Sequence, residues 1–209
     1  MTAAKQTNHN RGRPIDNDEV IEAARVMLLS VDAADFSVRE LAKSLGVVPG
    51  TIYARFGTKD ELLAQLYRSR IDAMIVEVDA IDPEKVVTMR DLVDHLALDV
   101  WTMRHEFETR FMRDLPPPAV RPETWRELPS RFEVLSNRIY AQAQRVAANE
   151  GITLVGGAAA RRFFWSALSS GTISQSDIAY RQRNTTYRRF VVQALLTALA
   201  RKPGHTDDT

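Results

Sequence analysis

The sequence predicts an all-α protein in two parts, a small helical N-terminal region and a larger helical C-terminal one. Three observations carry that prediction. Apolar residues recur at i, i+3 and i+4 along most of the chain. Helix-start signals stand immediately before several of those runs: Ser37-Val38-Arg39-Glu40 and Thr58-Lys59-Asp60-Glu61 are both capping boxes. No alternating polar–apolar run is long enough for a sheet; Ile152 to Val155 is the best strand candidate and is too short to make one.

Taken in order, residues 1–15 are polar and basic, with nothing to bury, and predict a flexible arm. Asp16 then caps a first helix, with Glu19 at the third helical position and Val20, Ile21, Ala24, Met27 and Leu28 on one face. Ser37 starts a second helix that turns Leu41, Ala42 and Leu45 inward and stops at Gly46, a residue that accepts positive φ. Pro49 suits the first turn of a third helix, where its missing N–H breaks no bond. That helix runs to Phe56, buries Ile52 and Phe56, and ends at Gly57. Thr58 launches a long fourth helix to about Ala80. A fifth is expected from Glu84 to about Asp114, followed by a rigid break at Leu115 to Pro122. Further helices are expected at 124–149, 158–170 and 177–201, with no internal repeat.

The bulk composition restricts function. The chain has 209 residues, 44% of them hydrophobic, so it can bury a core. Its net charge is only +1, so any binding to nucleic acid must come from local positive charge. There are no cysteines, which excludes disulfides and thiolate metal sites and fits a reducing, cytoplasmic compartment. The N-terminus has no apolar core, so no signal peptide is expected. No run of ~18 apolar residues occurs, so no membrane span is expected. Of the four histidines, His9 and His205 stand near the ends and His95 and His105 are ten positions apart, too far for one metal along one helix. No nucleophile elbow, phosphate loop or dinucleotide fingerprint is present. The expectation is no enzyme, no metal and no cofactor.

Residues 37–56 form one object. Two short helices are joined by a tight Leu-Gly-Val turn, the helix-turn-helix pattern in which the first helix braces and the second presents its outer face. That outer face carries Thr51, Ala54 and Arg55, with Tyr53 toward one edge and Gly50 near the start. It is poor in acid, which suits a DNA groove. Arg can donate to guanine edges, and Thr or Ala can lie against a thymine methyl. Tyr hydroxyls and Lys ammoniums hold phosphate. Lys59, in the first turn of the fourth helix, combines its own charge with a helix N-terminus.

The run FSVRELAKSLGVVPGTIYARFGTKDELLAQL resembles the N-terminal domain of the TetR family of transcriptional regulators, over about residues 17–66. The signature is Leu-Ala before the turn, Leu-Gly-Val in it, Gly-Thr-x-Tyr and Phe in the third helix, then Lys-x-x-Leu-Leu. The resemblance implies DNA contacts from Arg39, from Pro49, Gly50, Thr51, Tyr53, Ala54 and Arg55 on the recognition helix, and from Lys59, with Tyr53 and Lys59 clamping the backbone. One departure is Val48, where the family often has a small polar residue; valine cannot cap the third helix. The RGRP arm, with Arg13, suits a narrow A·T-rich minor groove, or else is a polar tail.

The C-terminal part has no motif of its own. The expected layout is an arm at 1–16, a DNA-binding domain at 17–63, and a helical effector-binding and dimerisation domain at 64–209. Phe190, Val191, Ala194, Leu195 and Ala198 on the last helix, with Phe164 and Leu168, make a stripe wide enough for a four-helix dimer interface; the alternative is a buried helix in a monomer. Trp101, Phe107, Phe111, Met112 and Tyr140 are the residue types a ligand pocket uses, and also those any core uses. The resemblance implies an effector cavity among these helices. The resulting expectation is a cytoplasmic homodimer on a palindromic double-stranded operator, most simply a repressor released by an unknown small molecule. An activator, an effector-independent regulator and a helical protein-binding module are the alternatives.

Overall fold

The computed structural model describes residues 15–97, 121–169 and 185–201. Among the described residues, all regular elements are helical. They are α1 (Asn17–Leu28), α2 (Val38–Ser44), α3 (Pro49–Phe56), α4 (Lys59–Asp79), α5 (Met89–Ala97), a 3-10 turn (Glu123–Trp125), α6 (Leu128–Asn149), α7 (Gly157–Ser169) and α8 (Thr185–Leu199). The chain divides into two compact units, residues 15–69 with 121–128, and the remaining described residues.

The first unit is built from its helix ends inward. Asp16 caps α1 through the Asp18 N–H, and Ser37 caps α2 by accepting from the Glu40 N–H at 3.3 Å. At the end of α2, Gly46 takes φ 69°. The Val47 N–H reaches the Ala42 carbonyl (2.9 Å) and the Gly46 N–H the Lys43 carbonyl (3.2 Å). This is a Schellman close, and it needs the left-handed residue that glycine supplies. Val20, Ala24, Leu28, Leu41, Ala42, Ile52 and Phe56 form the core, with α2 packed on both α1 and α3.

That core is completed from far along the chain. Trp125 is buried, stands edge-on to Tyr67 with centroids 6.2 Å apart, and donates its indole N–H to the Asp60 carbonyl at 3.1 Å. Arg68 meets Glu127 at 2.9 Å. The boundary expected at residue 63 therefore falls inside this unit, which includes 64–69 and takes in 121–128.

Further along the chain, three expected helix starts move. The fifth helix begins at Met89, not Glu84. Asp82 holds residues 84–86 in a turn, its carboxylate accepting from the Glu84 N–H (2.9 Å) and its carbonyl from the Lys85 and Val86 N–H groups. Thr88 and Asp91 then form a reciprocal capping box at 3.2 and 2.8 Å. Glu150 adds a further cap by accepting from the Met89 N–H at 2.7 Å. The sixth helix begins at Leu128, not Thr124, because 123–125 turn as a 3-10 segment. The seventh starts at Gly157. The second half of the fifth helix, the prolines at 116–118 and residues 177–184 lie outside the described residues.

α5, α7 and α8 pack on one another, around Leu92, Leu96, Phe164, Leu168, Val191, Leu195 and Leu199. The strand candidate resolves as one antiparallel bridge, Leu154 to Ala200. The Val155 N–H donates to the Leu199 carbonyl and the Arg201 N–H to the Thr153 carbonyl, both at 2.7 Å.

Candidate nucleic-acid interface

The α2–α3 pair presents a face that is exposed among the described residues of the first unit. Pro49 opens α3 behind Val48, which makes no side-chain cap bond. Ile52 and Phe56 point inward and are buried. Gly50, Tyr53, Ala54 and Arg55 are exposed, Pro49 and Thr51 are half-buried, and Arg39 is exposed on α2. Tyr53 keeps 48% of its surface open. Among the described residues nothing internal requires Gly50: its φ is not positive and an added Cβ would meet nothing within 4 Å. A glycine that its own chain does not require suits a surface approached closely from outside.

Two of the predicted contact residues also hold partners within the unit. Arg55 is exposed, as expected, and its Nη1 donates to the Ile15 carbonyl and, at 3.1 Å, to Asn17 Oδ1. Lys59 was expected on phosphate, and its Nζ donates to the Ala34 carbonyl at 2.8 Å, holding the α1–α2 connection. The N-terminus of α4 is also already filled. Glu61 Oε2 accepts from the Thr58 N–H at 2.6 Å while Thr58 Oγ1 accepts from the Glu61 N–H at 3.2 Å. The Thr58 backbone and side-chain bonds hold the Glu61 carboxyl below the usual carboxylate range.

Sequence reasoning missed three participants. Ile15 and Asn17 contact Arg55 from 40 and 38 positions away, and no local pattern signals such a pair. Val48, read only as a failed cap, is an exposed apolar residue at the start of α3, open by 58%.

The C-terminal candidates separate by burial. Tyr140 is buried. It donates to the Val155 carbonyl at 2.6 Å and stands edge-on to Phe164 at 5.6 Å. Burial raises its hydroxyl pKa. These contacts pack Tyr140, an expected ligand contact, in the core of the second unit with its hydroxyl bonded. Phe164, Leu168, Val191 and Leu195, expected between two subunits, are buried within the single chain. What α8 leaves outward is Phe190, at 68% exposure, and Ala198, with Ala194 half-buried between them; Phe163 on α7 is 45% exposed. Arg13, Trp101, Phe107, Phe111 and Met112 lie outside the described residues. Among the described residues, no group of three or more His, Cys, Asp or Glu is placed to hold a metal, and no helix is long and apolar enough to cross a membrane.

Residues 20–66 match the family model of bacterial regulatory proteins of the tetR family. No curated protein matches in sequence. Among solved structures, the fold is similar to a TetR-family transcription regulator from Shewanella sp. PV-4 (TM-score 0.65, 17% identity, covering 90% of this chain and 100% of that one). It is also similar to the regulator PfmR from Thermus thermophilus (TM-score 0.59, 16% identity, 84% and 98%). A third is the regulator FadR from Bacillus subtilis in complex with stearoyl-CoA (TM-score 0.57, 16% identity, 87% and 98%). At these identities the likeness is one of fold.

Proposed function

From a chain that carries the DNA-binding domain of the TetR family and the fold of that family's regulators, we propose a homodimeric, sequence-specific repressor that a small molecule releases from a palindromic operator. The observation that carries this reading is the recognition face. α3 stands out from a closed Schellman turn with Gly50, Tyr53 and Ala54 exposed and no internal role for Gly50 among the described residues.

In this reading Thr51 and Ala54 lie against thymine methyls, while Tyr53 and Arg39 hold phosphates. Lys59 keeps two ammonium hydrogens for a phosphate besides the one on Ala34. A single short helix covers too few base pairs for useful selectivity. Two copies related by a two-fold axis read half-sites ~34 Å apart. The outward stripe of Phe190, Ala194 and Ala198, with Phe163, is the face offered to the second copy. The effector acts by binding more tightly to the form whose two heads no longer match the operator. Since FadR from B. subtilis is described in complex with stearoyl-CoA, acyl-coenzyme A compounds are the first class to screen.

The test is fluorescence anisotropy of the purified protein on DNA from upstream of its own gene, at two salt concentrations, with unrelated DNA as competitor. The expected result is binding that survives the competitor and weakens by orders of magnitude over a few-fold rise in salt. Selection from random DNA extends the search if that fragment carries no operator. Recovery of no preferred sequence there would overturn the reading.

A further inference from the structure

We propose that Val48 is a specificity-determining residue: its isopropyl group reads the C5 methyl of one thymine in each operator half-site. The inference rests on the function proposed above and adds to it a base contact from the residue that precedes the recognition helix.

A single exposed valine means little on a protein surface. Three observations set this one apart. It occupies the N-cap of α3, at φ −85° and ψ 146°, and its side chain makes no cap bond. Serine, threonine, aspartate or asparagine there would stabilise the helix, so the fold alone favours a different residue. The side chain is 58% exposed, so burial does not account for valine either. Its position is also held. Pro49 confines the residue before it to extended backbone. The Val48 carbonyl accepts from the Thr51 N–H, and the neighbouring Val47 N–H donates to the Ala42 carbonyl, both at 2.9 Å. A β-branched side chain on a fixed backbone has little freedom to lose on binding.

What such a group can recognise follows from its chemistry. It has no donor and no acceptor, and the apolar feature of the major groove is the thymine methyl. The N-terminal residues of a recognition helix are those that reach base edges. Thr51 and Arg55 stand three and seven positions after Val48 and continue its side of the helix; Arg55 is exposed and Thr51 half-buried. Gly50 is exposed as well and has no side chain to hold DNA away from this end of α3.

The test removes the methyl from the DNA and the isopropyl from the protein, on the full chain and the operator recovered by selection. Each thymine of the operator is replaced in turn by deoxyuridine, in both half-sites, which keeps every base-pairing group and deletes only the C5 methyl. At one position the wild type should lose about fourfold in affinity per half-site, about fifteenfold for both. Val48→Ala and Val48→Ser should bind the thymine operator as the wild type binds that deoxyuridine one, and lose nothing further at that position. Any sensitivity at other thymines should persist in both variants. Val48→Ser should also unfold at no lower urea concentration than the wild type, since serine can cap α3. Deoxyuridine losses that are the same in the variants as in the wild type at every position would overturn the contact. So would a lower urea midpoint in both variants, which would give valine a role in the fold. Recovery of no preferred sequence by the wild type would remove the proposed function and this inference with it; specific binding with Val48-independent losses would remove this inference alone.

Discussion

Two glycines a few positions apart answer to different constraints. Gly57 closes α3 at φ 77°, and a Cβ added there would collide with Glu61 Oε2, the atom that caps α4. Alanine would have to hold a conformation that L-residues avoid and push the cap aside. Gly57→Ala is expected to destabilise the protein by about 1–3 kcal/mol, measured by urea unfolding. Gly50→Ala should do the opposite: unfolding unchanged or slightly harder, since alanine is the better helix former, yet operator binding weaker because the added methyl stands on the approach face. A Gly50→Ala protein that binds DNA like wild type would take Gly50 out of the interface. Much at this scale is legible in the sequence. Ser37, Thr58 and Gly46 announce their roles by type and spacing. Arg55 and Lys59 do not, because a side chain's alternatives to DNA lie on residues distant in sequence, Ile15 and Ala34.

At the scale of the element, α8 shows how a wide apolar stripe divides. Val191, Leu195 and Leu199 turn into the second unit; Phe190 and Ala198 do not. Spacing alone could not separate these faces, since the sequence shows that a helix has two apolar sides but not which neighbour covers each. The consequence is a pair of contrasting variants. Phe190→Glu should leave the melting curve nearly unchanged and shift sedimentation toward monomer. Leu195→Ala should cost about 2–5 kcal/mol of stability, and any change in assembly would follow from unfolding. A dimer unchanged by Phe190→Glu would move the interface off this face. The start of α5 shows a second limit of sequence reading. Asp82 and the Thr88–Asp91 box moved it to Met89; the box has the S/T-x-x-D/E spacing, but it lies behind a proline that can itself start a helix.

At the scale of the whole molecule, carboxylates that cap backbone turns among the described residues are expected to contribute to the response to acid. Thr58 holds Glu61 below the usual range, Thr88 does so for Asp91, and the Glu84 N–H does so for Asp82. A carboxylate depressed in the folded state gives stability that is present at neutral pH and lost as pH falls through its folded value. Stability should therefore decline below the usual carboxylate range. The double variant Glu61→Gln/Asp91→Asn should be less stable at pH 7 and show a flatter decline, read from unfolding midpoints across pH. The all-helical architecture follows from periodicity and caps. The division of the chain into units does not, because Trp125 joins Tyr67 and Asp60 from about sixty positions away in sequence. That insertion also limits exchange between relatives. A chimera spliced once after Ser69 would keep Tyr67 but import a foreign segment in place of Trp125, leaving the ring without its edge-on partner. A regulator re-targeted by grafting a new reading head would have to carry two pieces of chain, so the head is transferable only as a discontinuous module.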